Sequence, residues 1–113
     1  MSALNKHQIL GASDTQVQSV DVPEWGGTVF LRSLSTGEGI EYNEKRASTH
    51  EEKLVPLALT YSISDEMGKP LFNQDDVDEL CKKDPRILLR LYEAALALNK
   101  MREGDDEVRE KNS

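Results

Sequence analysis

Few side chains in this 113-residue chain have the chemistry of a reactive site, and their spacing argues against each reaction they suggest. His7 and His50 lie in polar stretches with no neighbours at metal-ligand spacing, so solvated surface histidines are expected. Cys81 shares the apolar side of a helical pattern with Val77 and Leu80. That is the setting of a buried structural thiol, and a nucleophile would need a base that the sequence does not place. Gly26-Gly27 and Gly37-x-Gly39 are not followed by Gly-Lys-Ser/Thr, so neither reads as a phosphate loop. Asp75, Asp76 and Asp78 lack the loop glycine and terminal glutamate of a calcium site; they read as charges favoured by the dipole at a helix start. No enzymatic activity, cofactor or metal site is expected.

The composition narrows the partners. The formal charge is −7, with 37% hydrophobic and 31% charged residues. Such a chain is poorly suited to neutralising a phosphate backbone or docking on anionic lipid, so neither nucleic acid nor membrane is expected. It suits a soluble protein or a basic partner. Cys81 is the single cysteine, which fits a reducing cytoplasm. No apolar run has the length of a membrane span, and Met1–Lys6 lacks the apolar core of a signal peptide.

The elements that would position a binding surface are legible in outline. Ala3–Leu10 reads as a short helix closed by Gly11. Gln16–Val22 and Thr28–Leu34 read as two strands of a hairpin, joined through Pro23-Glu24-Trp25-Gly26-Gly27. A lone hairpin is marginal in water and needs something to lie on. Ser35 with Glu38 has capping-box spacing, as does Thr49 with Glu52. Residues 54–63 are ambiguous: Leu57, Leu59, Tyr61 and Ile63 alternate like a strand, while a helix over the same residues would be buried on most sides. A helix starting near Thr49, or kinked at Pro56, is preferred. Ser64–Pro70 is a turn, and Leu71-Phe72 an apolar anchor before a helix capped by Asn73. Asp84-Pro85 starts a last helix running to about Met101.

In that last helix Ile87, Leu88, Leu91, Tyr92, Ala95 and Leu98 form one stripe, and Leu89 and Leu96 lie beside it. The apolar arc exceeds half the circle. Central placement among other helices accounts for this, as does a second apolar face covered by another subunit or partner. Leu89, Leu96 and Trp25 are therefore the candidate partner-binding residues, core placement being the alternative for each and the preferred one for Trp25. The fold class expected is α+β: one small domain over residues 1–102, a β-hairpin packed against about four helices and mainly helical in its C-terminal half. Residues 103–113 read as a disordered polar tail.

The run Val20-Asp21-Val22-Pro23-Glu24-Trp25-Gly26-Gly27-Thr28-Val29 resembles the V-x-V-P-E-W-G-G-x-V segment of tail assembly chaperones from long-tailed, siphovirus-type bacteriophages. Leu34 through Tyr42 is similar to that family's L-T-G-x-E-R-x-x-F helix start, and Ser64 through Phe72 to its D-E-x-G-x-x-L-F turn. Asp76–Leu80 and Leu91–Asn99 resemble its last two helices, the second ending in A-x-x-L-N. The similarity runs in one order over roughly residues 5–101; Gly37, Gly39 and Pro56 depart from the pattern. The resemblance implies a non-enzymatic chaperone in the host cytoplasm, absent from the mature virion. Such a protein binds and solubilises the tail tape measure protein and helps recruit major tail (tube) protein; self-association is, beside partner binding, one use open to the spare apolar residues Leu89, Leu96 and Trp25. It also implies a longer frameshifted form sharing this N-terminal part. A minor structural tail or head-completion protein, or a small protein-binding adaptor, is the alternative.

Overall fold

Four residues turn the hairpin. Pro23 opens a 3-10 turn over Pro23–Trp25, and Gly26 follows at φ 77°, a left-handed conformation that glycine adopts without strain. In the computed structural model, which describes residues 2–99, the order is α1 (Lys6–Gly11), β1 (Val17–Val22), β2 (Gly27–Arg32), α2 (Thr36–Ala47), α3 (Leu54–Ser62), β3 (Ile63–Ser64), α4 (Val77–Leu80) and α5 (Pro85–Leu98). The tail expected from residue 103 lies outside the described residues.

β1 and β2 pair antiparallel, from Val17 opposite Arg32 to Val22 opposite Gly27. Opposed residues share a face, so Val20, Val22, Val29 and Leu31 lie together on the side that α5 covers. A third strand was not expected. Ile63 and Ser64 leave the end of α3 and pair with Leu31 and Phe30, making the sheet order β1-β2-β3. Ile63 thereby joins the same apolar face, and the strand-like alternation of residues 57–63 is explained at its last position only.

Both outer margins of this sheet have open backbone. Ser33 N donates to Gln16 O at 2.8 Å, so the alternation of antiparallel bonding turns the amides of Val17, Ser19 and Asp21 away from β2. On the other margin β3 covers only Phe30 and Leu31, and no strand lies against Thr28 among the described residues.

The helices follow their start signals more closely than their expected lengths. α2 carries the expected capping box: Ser35 Oγ accepts from Glu38 N at 3.2 Å and Glu38 Oε1 accepts from Ser35 N at 2.9 Å. Asn73 caps a 3-10 turn that runs into α4, with Asp76 accepting from Asn73 N at 2.9 Å. Asp84 caps α5, its Oδ1 accepting from Arg86 N at 2.8 Å, with Pro85 at the first position.

Thr49 is not the cap that its spacing with Glu52 suggests. Its hydroxyl donates to Lys45 O at 2.6 Å, closing α2, while His50 Nδ1 accepts from Glu52 N at 3.3 Å and caps the next turn. Pro56 kinks nothing, because α3 starts at Leu54 and the proline falls in the first turn, where helical N–H groups have no partner to lose. α1 starts three residues later than expected, behind a capping box formed by Asn5 and Gln8. α5 stops at Leu98, where Asn99 takes over: its N and Nδ2 both donate to Ala95 O, and its Oδ1 accepts from Leu34 N at 3.0 Å.

The core lies between the sheet and α3, α4 and α5. Val22, Leu31, Leu59, Ile63, Leu80, Ile87, Leu88, Leu91 and Ala95 form it. Residues 56–62 are all buried because α3 is packed by α2, α4 and α5. The α5 stripe is buried or half-buried along its whole length, Leu89 is exposed, and Leu96 is half-buried.

One charge is enclosed in this packing. Arg32, 5% exposed, donates from Nε to Tyr61 O at 3.0 Å and through both terminal nitrogens to Glu38, at 2.9 and 2.7 Å. The end of β2, the start of α2 and the end of α3 thus meet at one guanidinium, with each of its three nitrogens donating to an acceptor. The Arg32 hydrogen bonds, aided by Ser35 N, hold the Glu38 carboxyl below its ordinary pKa of 4.5. A depressed folded-state pKa stabilises above the unfolded value and loses that contribution as pH falls below it. Glu38→Gln, which leaves Arg32 buried without its counter-charge, is expected to lower stability by about 2–3 kcal/mol at pH 7. In urea titrations the gap between wild type and variant narrows as pH falls below 4.5; a gap independent of pH contradicts this account.

Candidate partner-binding surface

Trp25 is not core. The hairpin tip is pinned to α5 by Glu24, whose two carboxylate oxygens accept from Arg90 Nη1 and Nη2 at 2.9 Å each. The Arg90 hydrogen bonds first, and a backbone N–H second, hold the Glu24 carboxyl down to about 2. Lys83 Nζ lies 6.0 Å from the Trp25 ring centre, at the limit of a cation–π contact. These contacts fix the turn and leave the indole 40% exposed.

The exposed indole forms the rim of a groove of about 480 Å³. Phe30, Leu71, Phe72, Leu80 and Lys83 line it, and the uncovered stretch of β2 at Thr28 opens into it. Leu71 and Phe72 were expected to anchor the turn before α4. Phe72 does pack on the core, but Leu71 is 59% exposed, so one half of the doublet serves the fold and the other half the groove. Asp65 and Glu66 give the groove an acidic end. Asp65 Oδ1 accepts from Met67 N at 2.8 Å and Lys69 N at 3.0 Å, and these backbone bonds lower its pKa. The turn closes through Gly68 at φ 86°, where a Cβ would stand 3.3 Å from Val17 Cγ2.

Leu89 belongs to a different surface. With Val55, Pro56, Cys81 and Leu88 it lines a groove of about 410 Å³ between the starts of α3 and α5. Cys81 is exposed here, correcting the expected buried thiol. α4 is a single turn whose inward position is taken by Leu80, and the next residue points about 100° further round, to solvent. Leu96 lies on a third surface, a cavity of about 270 Å³ between α2 and α5 lined also by Leu34, Tyr42, Ala58 and Tyr92. The three candidate residues are thus on three separate surfaces. Leu71 and Phe72 were expected only as an anchor for the fold, and Phe30 only as a strand residue, so none was among the candidate partner-binding residues; the Leu71-Phe72 doublet beside a glycine turn was the available signal.

His7 and His50 are exposed. Among the described residues no group of three or more His, Cys, Asp or Glu has a metal-binding arrangement. Among them, too, no helix is long and apolar enough to cross a membrane.

No protein-family model matches the chain, and no curated protein sequence matches it. Its fold is similar to that of the bacteriophage HK97 tail assembly chaperone, with a TM-score of 0.60 and 23% sequence identity over 81% of this chain and 90% of that one. The chain therefore has the fold of a phage tail assembly chaperone, an α+β domain in which a hairpin and a short third strand lie against helices.

The Glu24–Arg90 contact predicts the behaviour of the lone tryptophan. A carboxyl held near 2 stays ionised through mild acid, so Trp25 emission in the wild type is expected to be constant from pH 7 to about 3 and to shift as pH approaches about 2. Glu24→Gln is expected to show the shifted, more quencher-accessible emission already at pH 7, with an unchanged far-UV spectrum. Identical Trp25 emission in the two proteins would refute the clamp.

Proposed function

We propose that this chain is a phage tail assembly chaperone: a small protein that binds the tail tape measure protein, keeps it soluble, and helps tube subunits assemble around it. The observation that carries the reading is the fold shared with the HK97 tail assembly chaperone along most of both chains. The ordered resemblance of the Trp25 turn, the Ser35 helix start, the Gly68 turn and the final helix supports it independently.

The surface chemistry suits such work. A tape measure protein is expected to be a long helical chain with apolar stripes, and such stripes are held in hydrophobic grooves. The Leu89 groove has apolar walls of Val55, Pro56 and Leu88 between two helix starts, and Leu89 itself is 48% exposed. An exposed leucine there offers a helical client an apolar contact outside the core. The charge of −7 would keep a chaperone–client complex dispersed. On this reading the protein works in the host cytoplasm and is absent from the finished particle.

Co-expression with the tape measure protein tests the reading: the client should be soluble only when this chain is present. Leu89→Asp is expected to fold as the wild type does, with a melting temperature within a few degrees, since exposed substitutions change stability by about 0.5 kcal/mol or less. It should recover at least about tenfold less client, the cost of placing a charge in an apolar contact. Client solubility indifferent to this chain, or a stoichiometric amount of it in purified virions by mass spectrometry, would overturn the reading.

A further inference from the structure

The groove behind Trp25 holds a feature that the Leu89 groove lacks, which is open main chain. Ser33 N bonds Gln16 O, so the antiparallel alternation turns the peptide groups of Thr28 and Phe30 away from β1. Phe30 meets Ser64 of β3. Thr28, one pair further along, meets no strand among the described residues, because the chain leaves the line of β3 for the turn at Asp65. The Thr28 side chain is engaged on the other margin, its Oγ1 donating to Asp21 Oδ1 at 3.1 Å. Its N–H and C=O therefore face the groove as one donor and one acceptor. A helix spends its own main-chain groups internally and has none to return. An extended segment has both.

The charges in the groove give such a segment a direction. A strand antiparallel to β2, on the line that β3 leaves, has its N-terminal side at Asp65 and Glu66 and its C-terminal side at Trp25 and Lys83. Asp65 Oδ1 is already taken by the amides of its own turn, and Glu66 is exposed beside it. Side chains alternate along a strand, so the residues on either side of the one opposite Thr28 fall on the face of Val29, where Phe72 and Leu80 lie. A second copy is a poor match. β1, the described strand with a whole margin open, carries Asp21 and no basic residue.

We propose that this groove takes a short extended segment of a different protein, which pairs with Thr28 as a continuation of β3. The segment is apolar on one face. It carries a lysine or arginine at its N-terminal side, for Glu66, and a carboxylate at its C-terminal side, for Lys83. This is a docking surface separate in place and chemistry from the Leu89 groove, and it does not rest on the chaperone reading. One residue pair supplies two main-chain bonds, so the contact is weak, with a dissociation constant of about 0.1–1 mM.

The probe is the synthetic peptide acetyl-Lys-Val-Thr-Val-Glu-amide, titrated into the isotope-labelled full chain and followed by amide NMR. The Thr28 amide and the Trp25 indole N–H resonances should move together. The reversed peptide, acetyl-Glu-Val-Thr-Val-Lys-amide, has the same composition and should bind at least about threefold more weakly, since both charge pairs are inverted. A forward peptide N-methylated at its central threonine loses the donor to Thr28 O and should bind at least about tenfold more weakly. Glu66→Lys, at an exposed turn position, should remove the preference for the forward peptide. A forward peptide that leaves Thr28 unmoved, a reversed or methylated peptide that binds equally well, or a preference retained in Glu66→Lys overturns the proposal. So does a Thr28 resonance that moves with protein concentration alone, which would give the groove to a second copy. The titration contains no tail protein, so its outcome is independent of the co-expression test.

Discussion

The fold depends on burying one arginine with an acceptor at each of its three nitrogens. Arg32 ends β2 at a point where three elements converge, and its guanidinium is held by Glu38 from the start of α2 and by the Tyr61 carbonyl from the end of α3. Removing a charge from water costs several kcal/mol unless its partners are in place before packing closes over it. Glu38 is in place because the Ser35 capping box positions its carboxylate as part of starting α2. A local helix signal and a long-range ion pair thus share one side chain. The arrangement sets the direction in which α2 leaves the sheet, and with it the packing of α2 on α3.

The local half of this arrangement was legible in the sequence and the long-range half was not. Ser35, Asn73 and Asp84 announced their helices because capping is a contact between near neighbours. The hairpin was legible because proline and two glycines have few other uses between two β-branched runs. Arg32 carried no signal of its own, since nothing nearby in the chain shows that α2 and α3 will close over it. β3 was hidden for a similar reason. Two residues are too few to carry a period, and Ile63 pairs with Leu31 only because α3 delivers it to that margin of the sheet. Pro56 misled because its effect depends on where the helix starts, and the start moved from Thr49 to Leu54.

The candidate surface was legible as composition rather than place. Trp25, Leu89 and Leu96 stood out as apolar residues in excess of what one helix face or one turn needs, but they lie on three surfaces. What makes the Trp25 groove is a missing length of strand. β3 stops after two residues, so the space where it would continue is lined by side chains instead of backbone. Glu24 and Arg90 then keep the indole at the rim of that space.

The outer margin of β1 has a further consequence for how the protein endures crowding. Its six residues contain no proline and no lysine, and Asp21 is its one charged side chain. Open edges of that length are templates for stacking into fibrils, and proteins commonly guard them with several charges or a bulge. With one guard on the strand itself, resistance to such stacking falls to the acidic surface as a whole. The shelf life of the purified protein should therefore shorten as salt screens that repulsion, long before the native packing is disturbed.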